Sequence, residues 1–157
     1  MRFEAAHVRH IRLIDADLRE RDREELAAAW GKPEAAMLQC LTSSFYARTA
    51  FVGFEPLAMY GLAPMSMLAG HARAWCFGTA AIDRHPFAFA RASRLALYAL
   101  FGHCSLMTNI VEKSDRAAIR WVEWLGGSLM TDREFLYGGK TFQQFVIAGG
   151  LAKCQRG

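Results

Sequence analysis

"DRAAIRWVEWLGG", Asp115 to Gly127, reads as one short helix with both of its ends written into it. The Asp115 carboxylate can accept the free N–H groups of a first turn, which predicts an N-cap. Ala118, Ile119, Val122 and Leu125 recur at three- and four-residue spacing and lay one apolar stripe along the helix. Gly126 and Gly127 stop it, because glycine enters the left-handed conformation that closes helices without steric penalty. Trp121 and Trp124, three positions apart, flank the stripe and cover either a sheet or a neighbouring chain. Core packing accounts for at least one of them; an exposed Trp124 would mark a partner surface.

The flanking sequence extends this into a pattern. "SLMTNIVE" before the helix predicts a strand, and the stretch from Pro86 to His103 predicts a long, mostly apolar helix carrying Phe87, Phe89, Leu95, Leu97 and Leu100. Further upstream, "YARTAFVGF", "PLAMYGLAPM" and "HARAWCFGTA" are short runs broken by turn residues, and predict three sequential antiparallel strands. "HVRHIRL" alternates as a first strand would. Asp15 then caps a helix over "ADLRERDREELAAAW" whose charges face water, and "PEAAMLQCLTSSF" predicts a second helix with Pro33 in its first turn. "EFLYGGKTFQQFVIAG" closes the chain as a hairpin turning at Gly138 and Gly139. The succession is an α/β fold with a mixed, largely antiparallel central sheet of about seven strands flanked by about four helices. Residues 1–150 are expected to form a single domain, followed by a short polar tail over 151–157.

Composition narrows the function classes. The chain has 157 residues, 53% hydrophobic and 22% charged, enough to bury a core without metal or disulfide staples. The net charge of +4 is spread thinly, and the arginines of "VRHIRLIDADLRERDR" are interleaved with acids that cancel their field, so no nucleic-acid partner is expected. Cys40, Cys76, Cys104 and Cys154 have no paired spacing and read as reduced, structural thiols. Cys76, His85, His103 and Cys104 match no common zinc spacing, so no metal is expected. No secretory leader is read in "MRFEAAHVRHIRL", and no uninterrupted apolar run is long enough to span a membrane.

The order of elements, with a long helix after the fourth strand and a short helix ending in Leu-Gly after the fifth, resembles the GNAT fold of N-acetyltransferases over nearly the whole chain. That family often writes the helix region as Asn-x-x-Ala-Ile-x-x-Tyr-x-x-Leu-Gly-Phe, where this chain has Asp115, Ala118, Ile119, Val122, Leu125, Gly126 and Gly127. The chain is also similar to degenerate GNAT-like internal virion or morphogenesis proteins of short-tailed phages. The residues carrying that likeness are Arg91-Ala92-Ser93-Arg94, Thr108-Asn109-Ile110-Val111 and Ala118-Ile119-Arg120-Trp121. This second resemblance implies a protein working through contacts with other virion or host proteins, in the infected cytoplasm or the virion, and is compatible with a homo-oligomer.

Acetyl transfer in the GNAT family implies a diphosphate cradle, a splayed strand pair, a base and an acid, each of which can be sought in the residues. The family's cradle is Arg/Gln-x-x-Gly-x-Gly/Ala at the start of the long helix, and this chain reads "DRHPFAFARASR" there. Phe87 and Phe89 would put rings where bare backbone is needed, and Pro86 has no N–H to give. The acid position of the helix motif is Val122, and the fourth strand carries no carboxylate. These departures predict a contact role without efficient acetyl transfer and with no cofactor. The alternative is an acetyl-CoA-dependent or other acyl-CoA-dependent N-acetyltransferase with an atypical phosphate site. It would place the cofactor along Phe77, Gly78 and Thr79 with phosphates at Arg84 and Arg91, and would leave Asn109, Ser114 and Asp83 as the catalytic candidates.

Overall fold

The computed structural model describes residues 1–149; the 151–157 tail lies outside them. Seven strands form one sheet in the order β1-β2-β3-β4-β5-β7-β6. They are β1 (Arg2–Ala5), β2 (Tyr46–Val52), β3 (Glu55–Ser66), β4 (His71–Gly78), β5 (Leu106–Glu112), β6 (Ser128–Tyr137) and β7 (Lys140–Ala148). Six helices flank the sheet: α1 (Val8–Ala16), α2 (Glu20–Trp30), α3 (Pro33–Thr42), α4 (Ala81–Arg84), α5 (Pro86–Leu100) and α6 (Arg116–Trp124). Every neighbouring pair is antiparallel except β4 and β5, which run parallel because α4 and α5 carry the chain back between them. No helix among the described residues is long and apolar enough to cross a membrane.

The N-terminus folds differently from its local pattern. "HVRHIRL" is no strand; the first strand is Arg2–Ala5, and Val8 to Ala16 forms α1. The alternation over His7 to Leu13 is a helical face seen through a short window, for Ile11 and Ile14 are buried three apart while Val8 and Leu13 stay exposed. The helix starts at His7, whose ring nitrogen accepts the Arg9 N–H at 3.2 Å, while His10 Nδ1 accepts the His7 N–H at 3.3 Å. The long helix placed over residues 16–30 is broken at Leu18, which pairs with Thr79 in an isolated bridge. These changes, with the one-turn α4, raise the expected four helices to six.

Two cores lie on opposite faces of the sheet. On one face Ile11, Ile14, Leu26, Met37, Trp75 and Phe77 pack beneath α1, α2 and α3. On the other, Leu62, Ile82, Ala92, Leu100, Met107 and Ile147 pack beneath α4, α5 and α6. Burying a side chain such as Ile14 stabilises by about 1.5–3 kcal/mol, which is what holds α1 onto β3 despite its four ionisable positions.

His10 ties α1 to the sheet and makes it acid-sensitive. Its ring is buried, stands 3.0 Å from the Thr49 hydroxyl and 3.5 Å from Glu4, and burial together with nearby Arg9 lowers its pKa below the ordinary 6.5. A histidine whose folded pKa is depressed is neutral in the fold, so the unfolded chain binds the extra proton in the window between the folded value and 6.5. Stability is therefore expected to be complete above pH 6.5 and to fall as the pH drops through that window. Denaturant titrations at pH 7.5 and 5.5 on the native chain and on His10→Gln check this, the variant losing the dependence that His10 contributes.

Candidate active site: a cavity through the splayed sheet

β4 and β5 pair for only three residues, His71 with Leu106, Ala72 with Met107 and Arg73 with Thr108. Beyond that point the strands diverge. Unpaired main chain inside a fold needs another partner, and one is supplied at the fork: the Asn109 side chain donates to the Ala74 carbonyl at 2.5 Å and accepts the Ile110 N–H at 2.8 Å. Asn109 lines the opening but its amide is spent on holding the fork.

The divergence opens a cavity of about 450 Å³, within the range of small-molecule sites. It passes through the sheet. On one side its wall is α2, with Arg19, Asp22 and Glu25; on the other it runs beneath α5 and α6, past Phe89, Ser93, Trp121 and Val122. Cys76 stands on the wall between, exposed into the cavity, and desolvation there pushes its thiol up to about 12. It is a neutral lining group, not a nucleophile.

Charge is distributed unequally along this wall. The lining carries four carboxylates, Asp22, Glu25, Asp83 and Asp115, and one cation, Arg19. Asp115 is buried, caps α6 by accepting the Ala118 N–H at 2.9 Å and holds Arg21 at 3.2 Å. Asp22 accepts the Gly78 N–H at 3.0 Å, and burial raises its pKa against that hydrogen bond. Glu25 has no such support. One of its carboxylate oxygens is buried without a hydrogen-bond partner, and burial, reinforced by Asp22, Asp115 and Glu112, lifts its pKa to about 7. A carboxyl group poised at neutrality inside a cleft is the usual mark of an acid–base residue.

The residues singled out from sequence are scattered across this geometry. Gly78 and Asp83 line the cavity. Phe77 faces the opposite core, its ring tilted against Trp75 with centroids 5.2 Å apart, because neighbouring strand residues point to opposite faces. Thr79 is fully buried and donates to the Pro56 carbonyl at 2.6 Å. Ser114 is exposed and donates a hydrogen bond to Glu112, which that bond and Lys140 hold below the ordinary carboxylate range. Arg84 is paired with Asp17 at 2.9 Å and Glu55 at 3.7 Å, and Arg91 is exposed on α5. Trp124 is 40% exposed, with the Arg94 guanidinium 4.7 Å above its ring. Glu25 and Asp22 were missed because α2 reads as a solvated helix. The signal was their spacing: both lie within four residues of Leu26, the one buried residue of α2.

The nucleotide end of a coenzyme A thioester meets poor provision. Phe87 does not obstruct the start of α5, being 91% exposed and turned to solvent. Phe89 does: its ring stacks on Trp121 at 5.5 Å, and Trp121 donates to Ser93 at 3.1 Å, clasping α5 to α6. The bare backbone of Gly78 is covered as well, since a Cβ built there would lie 2.5 Å from Ile82 Cδ1. The stretch of β4 at Ala74 and Cys76 stays open. The residues fit the acyl and thioester end of such a molecule and do not form the usual diphosphate cradle.

The sequence matches no family model and no curated protein; solved structures do resemble the fold. Spermidine N-acetyltransferase from Vibrio cholerae, in complex with CoA and spermine, superposes with a TM-score of 0.71 at 13% identity, covering 97% of both chains. The ribosomal-protein-S18-alanine N-acetyltransferase of Escherichia coli superposes with a TM-score of 0.67 at 14% identity, covering 94% of this chain and 92% of that one. The ribosomal-protein-alanine N-acetyltransferase of Brucella melitensis gives 0.69 at 9% identity, covering 94% and 99%. Seven strands in this order, a single parallel pair that splays, and these neighbours together identify the fold as that of the GNAT N-acetyltransferases.

Proposed function

We propose that the protein is an N-acyltransferase that moves an acyl group from a thioester to a cationic primary amine. The observation that carries this reading is the through-sheet cavity with Glu25 on its wall, unpaired at one oxygen and poised near neutral pH. Solved structures with the same fold bear the names of N-acetyltransferases, which agrees with this reading.

The four carboxylates facing one arginine draw a protonated amine toward the α2 side of the opening. Glu25, ionised above about pH 7, takes the proton that an ammonium group must lose before it can attack. Asp22 and Asp115, held by Gly78 and by Ala118 and Arg21, stay in place to orient the amine. A thioester contributes an activated acyl carbon and a thiolate leaving group. The opposite wall, apolar and clasped by Phe89 and Trp121, keeps water from competing for that carbon.

Thiol release can be followed with acetyl-CoA, and with the truncated thioester acetyl-N-acetylcysteamine, against n-butylamine, cadaverine, spermidine and a peptide with an N-terminal alanine. Amine-dependent release is expected, with the two donors differing in KM by less than about tenfold because the nucleotide end lacks its cradle. Absence of amine-dependent release from every thioester would refute the reading. A second reading has the clasp and the glycine-free start of α5 in its favour: a virion-assembly protein of phage origin that acts by contact through surfaces such as Trp124. It expects silence in that assay together with co-sedimentation of the protein with other virion components.

A further inference from the structure

α5 and α6 carry four arginines, Arg91, Arg94, Arg116 and Arg120, against one acid, Glu123. All four are exposed, and none forms an ion pair among the described residues. Arg94 instead lies over the ring of Trp124, its guanidinium 4.7 Å from the centroid, so the outer faces of the two helices meet. Phe87, Arg91, Arg94 and Leu95 recur at three- and four-residue spacing and share one side of α5. Phe87 is 91% and Leu95 50% exposed, which sets apolar surface in line with the unpaired charge. The cavity reaches this face, for Ala117 is both exposed and part of its lining, with Arg116 beside it and Arg120 one turn on.

This face supplies what the cavity lacks. The cavity accepts the acyl end of a thioester but provides no cradle for a nucleotide diphosphate, so a donor gains little from carrying a nucleotide. Unpaired cations at the mouth attract and orient an anionic partner instead, and Trp and Arg are the residues that most often carry the binding energy of a protein interface. Phe87 and Leu95 suit the apolar side of an acidic helix, whereas a nucleic-acid backbone would take up the charge and leave them bare. We infer that the acyl donor is an acidic carrier protein, which bears the acyl group as a thioester on a flexible prosthetic arm, docks across α5 and α6 and threads the arm past Ala117. The inference rests on the acyltransferase reading and names its donor. In the step it implies, the amine nitrogen bonds to the acyl carbon, the C–S bond breaks, the thiolate stays on the carrier's arm with the bonding pair, and the amine proton passes to Glu25. No other co-reactant is needed.

The test uses the whole chain. Acetyl and butyryl groups are each presented on a bacterial acyl carrier protein, on CoA and on N-acetylcysteamine, and thiol release is followed with the same amine panel. At about 50 mM NaCl the carrier is expected to exceed both small donors in kcat/KM by at least about thirtyfold, and at about 500 mM, where surface charges are screened, that advantage is expected to shrink at least about tenfold. Arg94→Glu combined with Arg120→Glu is expected to lower kcat/KM for the carrier at least about thirtyfold and to change that for the N-acetylcysteamine thioester less than about twofold. Should the double variant not fold, the carrier advantage and its salt dependence in the unaltered protein stand without it. Three results would each overturn the docking assignment and leave the transferase reading intact: equal use of carrier and small donors, a carrier advantage that survives the double reversal, or stronger inhibition of carrier-dependent release by a single-stranded RNA than by the unacylated carrier. Release from none of the donors would overturn both.

Discussion

Replacing Glu25 by glutamine is expected to cost at least a hundredfold in turnover at pH 8 and, at the same pH, to make the protein more stable. The first effect follows from general-base catalysis, whose removal costs about 10²–10⁴-fold. In the native protein kcat/KM should climb with pH and level off above about 7, where Glu25 is ionised. In Glu25→Gln that limb should vanish and leave only the titration of the amine itself. The second effect follows from linkage. The folded pKa of about 7 lies above the ordinary 4.5, so between those values the folded state holds a proton that the unfolded state has lost. Stability therefore declines as the pH rises through that window, by roughly 3 kcal/mol at most, and above pH 7 the fold carries the full cost of a buried charge. Glutamine carries no charge and removes the cost. Glu24→Gln, one residue earlier and paired only with Lys140 at the surface, serves as the control and should change neither quantity. A Glu25→Gln variant that is both active and no more stable would show that this carboxylate is a bystander.

Gly61→Ala should be among the most destabilising single changes available to the protein. Gly61 lies in the buried middle of β3, opposite Ala47 and Trp75. A Cβ there would stand 2.5 Å from the Tyr46 carbonyl oxygen, 2.7 Å from Trp75 Cζ2 and 3.0 Å from the Ala47 Cβ. The Trp75 ring is anchored by its own hydrogen bond to Ser44 at 2.8 Å, and the Tyr46 oxygen belongs to a strand that can move only by breaking its ladder with β3. Overpacking of a tight core costs about 1–3 kcal/mol and more where main chain must shift; the expected loss is about 3 kcal/mol, or a melting temperature lower by roughly 10 °C for a domain of this size. Adding Trp75→Phe frees the ring contact but not the carbonyl contact, so it should restore less than half. A loss below about 1 kcal/mol in urea titration would mean that β2 and β3 separate more readily than their burial implies.

These two residues bracket what sequence alone makes legible. The helix over Asp115 to Gly127 is correctly delimited because its signals are local: a cap, a 3.6-residue stripe and a left-handed glycine, Gly126 at φ 90. The three central strands and α5 follow for the same reason; the closing hairpin is found at its Gly138-Gly139 turn, but β6 begins at Ser128, six residues before the aromatic run that predicts it. α1 does not follow, since seven residues of alternating charge and apolar character suit a strand as well as a helix until Ile11 and Ile14 are seen against β3. The break between α1 and α2 is likewise invisible locally, because it is made by the pairing of Leu18 with Thr79.

The site was less legible than the fold. Several residues at the positions a GNAT enzyme uses are spent on structure: Asn109 on the fork, Thr79 on Pro56, Ser114 on Glu112 and Arg84 on Asp17. A side chain's hydrogen-bond partners are tens of residues away in sequence, so type and position do not reveal whether it is free.

Local sequence therefore decided the kind and order of the elements from α3 onward, apart from the one-turn α4, together with the cap and the glycine stop of α6, for these depend on neighbours within four residues along the chain. It also fixed the want of a glycine cradle, which is a matter of composition at one helix start. Tertiary structure alone decided that α2 turns Asp22 and Glu25 inward, that the sheet splays after Arg73, and that the splay opens a cavity which both carboxylates line. Each of these arises where segments distant in sequence meet, and a pKa or a void belongs to that meeting rather than to any segment.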